Sequence, residues 1–160
     1  MSKAFAMTGW RIGYMGAPEW ISKACAKVQG QVTSGTNAIA QRASIVALKA
    51  PKSKIQYMVD EFKCRRDLVL QLLNEIEGFK LNIPEGAFYV FPDISSFFGK
   101  TLRGRIINNA SDFSLYLLEE AMVATVTGEA FGDANCIRFS YAASEKDLRE
   151  AIRRIKESLQ

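Results

Sequence analysis

No histidine occurs among the 160 residues. Its absence excludes serine–histidine and cysteine–histidine nucleophile pairs and most zinc sites, and leaves acid–base work to Lys, Tyr, Asp, Glu or Cys. Cysteine is scarce: Cys25, Cys64 and Cys136 lie far apart in the chain and are odd in number. That pattern is no disulfide framework and suits reduced thiols in a cytoplasmic setting. Long apolar runs are missing too, since Lys, Glu or Gln interrupts each one, so no bilayer-crossing segment is expected. The chain does not start with a basic stretch leading into an apolar one, and no secretory leader is expected. A strong charge excess is also lacking. The net charge is +4, and basic residues mix with acidic ones, as in Glu145-Lys146-Asp147. Without a basic, aromatic strip on which bases stack, neither nucleic acid nor membrane is an expected partner.

What is present has the composition of an ordinary globular protein, 48% hydrophobic and 24% charged, large enough to bury a core. No internal repeat or low-complexity tract appears. Along the chain, a loop leads to a short strand over Arg11–Met15. Pro18 suits the first turn of a helix over Glu19–Gln29, and Gln31–Asn37 is small and polar, hence a loop. Ile39, Ala43, Val46 and Ala47 recur at helical spacing and predict a helix over Ala38–Lys49. Pro51 is the candidate domain boundary. Beyond it, apolar residues from Ile55 to Ile76 trace a long amphipathic helix ending at a Gly78 C-cap. A Pro84-Glu85-Gly86 turn, a strand over Ala87–Phe91 and a helix from Ser111 as cap to Glu120 follow. Strands are expected at Met122–Thr125 and Cys136–Tyr141. Ser144 with Asp147 resembles a capping box opening a last helix, which turns Leu148, Ile152 and Ile155 inward.

Chemistry concentrates in a few places. Lys3 has an amine able to attack an aldehyde when neutral, though a mobile surface lysine looks the same. Arg11 offers a planar fork suited to phosphate oxygens, or to a surface ion pair. Arg138, between apolar neighbours in an expected buried strand, needs an anionic partner. On pattern alone, the carboxylate of Asp133 or Glu129 would serve.

The run Ser2-Lys3-Ala4-Phe5-Ala6-Met7-Thr8-Gly9-Trp10-Arg11-Ile12-Gly13-Tyr14 closely resembles the cofactor segment of the fold type I, class I pyridoxal-phosphate aminotransferases, the family that includes aspartate aminotransferase. Pro84-Glu85-Gly86-Ala87-Phe88-Tyr89, Gly128-Glu129-Ala130-Phe131-Gly132 and Cys136-Ile137-Arg138-Phe139-Ser140-Tyr141 look like segments of that family's small domain. One departure is Thr127, where many family members carry proline, a change expected to alter loop stiffness more than chemistry.

The resemblance implies an α/β fold: residues 1–50 as a remnant of the large cofactor domain, then an α+β small domain over 51–160 with a mixed sheet flanked by helices. It implies pyridoxal 5′-phosphate as cofactor, with Lys3 as the catalytic lysine that holds the aldehyde as an imine and shuttles a proton. Arg11 and Ser2 would hold the phosphate, and Arg138 the substrate α-carboxylate. Tyr14 and Tyr89 are expected to pack. The loop Thr33-Ser34-Gly35-Thr36-Asn37 resembles a segment that reaches toward the partner subunit of the family homodimer; it reads equally as a helix connection with Asn37 as cap. The family's cofactor segment follows a long N-terminal region, so the sequence looks like a C-terminal portion, inactive or weakly active alone. The missing large domain supplies the carboxylate that keeps the cofactor ring nitrogen protonated. Phe5, Met7, Trp10 and Ile12 are then expected to lie open unless covered, so that the chain self-associates or its first segment repacks or becomes mobile. Substrates would be an amino acid, aspartate first, and a 2-oxo acid. Two other readings stand beside this: a non-catalytic small-domain module for binding or assembly, and another fold type I chemistry such as a lyase or synthase.

Overall fold

Pro18 adopts φ −50° at the N-cap of the first helix, and its carbonyl accepts from the amides of Ile21 and Ser22 at 3.0 Å. The computed structural model describes residues 1–160. Helix α1 (Glu19–Val32) extends into the predicted loop, because Thr33 N–H still reaches the Gln29 carbonyl at 3.0 Å. Asn37 caps α2 (Ala38–Lys49), its side-chain oxygen accepting from the Ala40 amide at 3.0 Å. The cap satisfies one amide that the helix start leaves without a partner.

The expected strand at Arg11–Met15 does not form; that segment is irregular. A strand needs a ladder partner, and every strand of the structure lies at or beyond Tyr89. Arg11 itself sits in the left-handed region, at φ +50°. Nor does the whole first segment lie open. Met7 is buried, Phe5 and Ile12 are half-buried, and Trp10 remains exposed. Tyr14, expected to pack, is exposed, as is Met15, and further open apolar residues lie on the helices, at Trp20, Val28, Val32, Ile39 and Val46.

Helix α3 (Ser53–Asn74) is the longest element. The chain divides into two compact units within it, Met1–Met58 and Val59–Gln160. Pro51 lies earlier, between α2 and α3. The helix stops two residues before Ile76. Glu75 and Ile76 then make tighter bonds to Leu72 and Leu73, at 3.3 and 3.0 Å. Gly78 follows at φ +104°, where a β-carbon would lie 2.6 Å from the Phe97 ring.

The second unit is built on a three-stranded sheet in the order β1–β5–β4. Strand β1 (Tyr89–Val90) pairs Tyr89 with Ser140 and Val90 with Phe139; β4 (Val126–Thr127) pairs Val126 with Arg138 and Thr127 with Ile137. The central strand β5 spans Ile137–Ser140. The fold class is α/β as expected, but the sheet is not the mixed one foreseen: both of its pairings are antiparallel. The strand foreseen at Met122–Thr125 falls later, at β4. Between β1 and β4 lie a hairpin, β2 (Thr101–Leu102) with β3 (Arg105–Ile106), and helix α4 (Ala110–Glu120). Asn109, not Ser111, caps α4, accepting from the Asp112 amide at 2.9 Å.

The core lies between sheet and helices. Val69 and Leu73 of α3, Phe113, Tyr116 and Leu117 of α4, and Ile137 and Phe139 of β5 are all buried. Phe97 stacks on Phe113 at 4.7 Å, and Phe79 meets Phe97 edge-on at 5.4 Å. Helix α5 (Glu145–Ser158) closes this core with Leu148, Ile152 and Ile155. Its start carries the N-cap half of the predicted capping box: Ser144 Oγ accepts from the Asp147 amide at 3.2 Å, while the Asp147 carboxylate accepts from the Ser144 hydroxyl at 2.6 Å. On its outer face Glu150 takes hydrogen bonds from Arg153 and Arg154, which hold its carboxyl down at about 2 against an ordinary 4.5.

Two adjacent positions should respond in opposite ways. At Gly128 a β-carbon would lie 2.3 Å from the carbonyl oxygens of Asp133 and Cys136, so Gly128→Ala should cost about 3 kcal/mol in urea unfolding. Thr127 lies on an edge strand at φ −58° with a buried hydroxyl that meets no partner. Because Gly128 N–H bonds the Cys136 carbonyl, ladder alternation turns the Thr127 N–H away from β5. Thr127→Pro should therefore stabilise by about 0.4–1 kcal/mol, chiefly by restricting the unfolded chain. A third test concerns acid. A depressed carboxyl contributes stability that is complete above its unfolded value, 4.5, and is lost as pH falls through about 2. Glu150→Gln should lower stability at neutral pH, less so in high salt, and match the unsubstituted chain at the acid end of a pH series.

Candidate active site

Each unit carries part of the candidate set. In the first, Ser2 and Lys3 lie in a succession of turns closed by Phe5 N–H to the Met1 carbonyl and Ala6 N–H to the Lys3 carbonyl, both at 3.2 Å. Trp10 N–H to the Met7 carbonyl at 3.3 Å closes the next turn. Small residues permit this path: Ala6 takes φ +51°, a conformation that bulkier or β-branched side chains resist. Ser2 is half-buried and Lys3 is exposed. Arg11 is exposed and donates Nη1–H to the Thr8 carbonyl at 2.8 Å. That bond uses one of five N–H donors and orients the guanidinium.

The loop after α1 is a helix connection in this structure. Asn37 spends its side chain on the α2 cap, and Thr36 accepts from the Gln41 amide group at 2.8 Å.

In the second unit Arg138 occupies the middle of β5, between buried Ile137 and Phe139. Period-two alternation sends it to the sheet face opposite theirs. Its guanidinium carbon lies 4.3 Å from the Tyr89 ring centre and 4.0 Å from that of Phe131. Every other arginine of this unit pairs with a carboxylate: Arg65 with Glu61, Arg66 with Asp67, Arg103 with Glu120, Arg105 with Glu119, Arg149 with Glu145, and Arg153 and Arg154 with Glu150. Arg138 forms no such pair. Asp133, an obvious candidate by sequence, accepts instead from the Asn135 amide at 2.9 Å.

The two rings reach Arg138 from separate elements. Tyr89 comes from β1, and the register that sets it opposite Ser140 puts it diagonally beside Arg138 on the same face. Phe131 closes the turn Gly128–Phe131, pinned by Gly128 N–H to Cys136 at 2.7 Å and Asp133 N–H to Gly128 at 3.2 Å. The neighbouring Cys136 is buried, and burial pushes its thiol up to about 11, with Asp133 adding to the effect. It is thus a protonated packing group at neutral pH rather than a nucleophile.

The sequence singles out Arg138, expects Tyr89 to pack, which agrees with its ring contacts to Phe88 and Arg138, and includes Phe131 only within a motif. No spacing rule connects residues 89, 131 and 138. The usable signal was a lone arginine in a strand whose motif neighbours are aromatic.

Residues 1–155 match the family model for aminotransferase class I and II. The chain is 48% identical over 99% of its length to a bifunctional aspartate aminotransferase and glutamate/aspartate-prephenate aminotransferase of Petunia hybrida, and covers 34% of that protein. It is 49% identical to an aspartate aminotransferase of Rhizobium meliloti strain 1021, covering 97% of this chain and 38% of that one. The crystal structure of the aspartate aminotransferase from Rhizobium meliloti superposes with a TM-score of 0.94 at 48% identity, over 99% of this chain and 40% of that one. The Thermus thermophilus aspartate aminotransferase with maleate gives 0.86 at 39% identity, over 98% and 39%. The chain thus spans between a third and two fifths of the length of these relatives, and across nearly all of its own length it belongs to the class I and II aminotransferase family.

Proposed function

We propose that this chain supplies the cofactor-holding lysine and the substrate-carboxylate arginine of a pyridoxal 5′-phosphate-dependent aminotransferase. Such an enzyme moves an amino group between an amino acid and a 2-oxo acid. The observation that carries the reading is Arg138, an arginine on a sheet face between two aromatic rings, with no protein carboxylate as partner. A guanidinium with its fork unspent is suited to a substrate α-carboxylate, which it can grip through two parallel hydrogen bonds. Aspartate as the amino donor is an extension from what the relatives are called.

The donor set of the first unit fits the cofactor by chemistry. Lys3 brings the amine that an aldehyde requires. Arg11, with most of its donors unspent, and the Ser2 hydroxyl bring what a phosphate requires. When bound, the cofactor supplies an electron sink that makes the substrate α C–H acidic. Lys3 would hold the cofactor covalently, and its amine, once released by the substrate amine, would carry a proton from the substrate carbon to the cofactor carbon. Arg138 would hold the substrate by its α-carboxylate. On this reading residues 1–50 belong to the cofactor-holding domain and 51–160 to the small domain of a homodimeric enzyme. Residues outside this chain would hold the cofactor ring, so the chain alone is expected to turn over poorly.

A second reading has an observation of its own. The core cluster, from Val69 to Ile155, lies wholly within the second unit. A domain that holds its own core can serve as a binding or assembly module whatever becomes of Lys3 and Arg11.

Incubation with pyridoxal phosphate, borohydride reduction and peptide mapping by mass spectrometry separates the two. The enzyme reading expects one dominant adduct, on Lys3, weakened in Arg11→Ala. Adducts scattered over many lysines and indifferent to Arg11→Ala would sink it and leave the module.

A further inference from the structure

We propose that Tyr89 and Phe131 are positioning residues. Their ring faces hold the Arg138 guanidinium in place while leaving its in-plane N–H donors open to a carboxylate. The proposal rests on the reading of Arg138 as the carboxylate receptor and adds what keeps that receptor ready.

An arginine inside a protein has two kinds of partner. A carboxylate engages the edge of the guanidinium, where all five N–H groups lie, and would compete with any incoming carboxylate for the same fork. An aromatic face engages the flat of the guanidinium and consumes no N–H group. Every other arginine of this unit has the first kind of partner. Arg138 has the second kind, twice, at 4.3 and 4.0 Å. The difference matters because a long, flexible side chain loses rotamer freedom when it binds. Two rings that already restrict it lower that cost without lowering its capacity to donate.

The rings are themselves fixed. Tyr89 is held by the β1–β5 pairing, and the adjacent Phe88 carbonyl accepts from the Tyr141 amide at 2.9 Å. Tyr141 also donates its hydroxyl to the Ala87 carbonyl at 3.1 Å. Burial pushes that hydroxyl up from its ordinary value, so it stays a donor at neutral pH. Phe131 is backed by Phe91, whose ring stands edge-on at 6.3 Å and 89°. The register sets Phe91 opposite Arg138 itself, since its neighbour Val90 faces Phe139. Phe131 is 48% exposed, so its side of the guanidinium is open to solvent.

The test reads the arginine directly. In the full chain labelled with 15N-arginine, the Arg138 Nε–H resonance is assigned by its loss in Arg138→Gln and followed during titration with propionate, a bare monocarboxylate. The unsubstituted chain should show a saturable shift at Arg138. Tyr89→Leu and Phe131→Leu should each weaken propionate about fivefold to tenfold and raise the fast mobility of the Arg138 Nε–H group in the free protein. Tyr89→Phe and Phe131→Tyr, which keep the ring faces, should restore both. Circular dichroism shows whether each variant is folded. Leucine variants that bind propionate like the unsubstituted chain, with no added mobility, overturn the positioning role and leave Arg138 as receptor. A chain whose Arg138 resonance ignores propionate overturns the receptor reading, and the positioning role falls with it.

Discussion

The two-residue period of β5 is the constraint from which the rest of the second unit follows. Ile137 and Phe139 must face the core, because α3, α4 and α5 all pack against that side. Arg138 is then sent to the other face by backbone geometry alone. A one-residue slip in pairing would bury a guanidinium and expose both apolar residues, a change no local adjustment could absorb. The register is locked on both edges, by Val90 against Phe139 on one side and by Thr127 against Ile137 on the other. Fold stability and placement of the proposed receptor are thus one requirement, met by four consecutive residues.

Around this strand, polar and apolar contacts divide the labour. The outer face of α5 carries a run of ion pairs among exposed side chains, Glu145 with Arg149 and Glu150 with Arg153 and Arg154. Individually such pairs contribute little. The inner contacts are aromatic and buried, and include Tyr116, whose hydroxyl bonds the Ser158 carbonyl at the end of α5. That bond satisfies a carbonyl the helix cannot satisfy itself. Arg103 does the same for Glu157 at 2.9 Å. The C-terminal turn of α5 is therefore fastened by side chains distant in sequence as well as by the local bonds of Leu159 N–H and the Ser158 hydroxyl to the Ile155 carbonyl.

How much of this could be read from the sequence depended on how local the determinant was. Helices α2 and α5 were legible to the residue at their starts, because Asn37 and Ser144 act on amides three positions away. The cap of α4 was misplaced to Ser111, because Asn109 and Ser111 are both competent and only the backbone path decides between them. The hairpin of β2 and β3 went unseen. Its turn needs positive φ at two positions, and one is Arg103, at φ +46°, where asparagine or glycine is the usual signal. Contacts with Glu120 and the end of α5 hold that arginine there, and neither is visible in a local window. The strand expected at Arg11–Met15 failed for a related reason, since pairing is not a property of one segment. Among the candidate site residues, Lys3 and Arg11 were legible as a motif and Arg138 as a charge out of place. The aromatic setting of Arg138 joins three stretches of chain and belonged to no pattern within any of them.

Helix α1 has no buried residue along its fourteen positions, and Trp20 keeps 74% of its surface open. A helix of that length gains little from its backbone bonds alone and depends on packing to persist. Its amides are accordingly the ones most readily released to solvent deuterium, through openings that leave the Val69–Ile155 core closed. Taken by itself, the chain is therefore expected to show two tiers of protection against exchange, with the slow tier centred on β5 and the fast tier in the helix that follows the lysine motif.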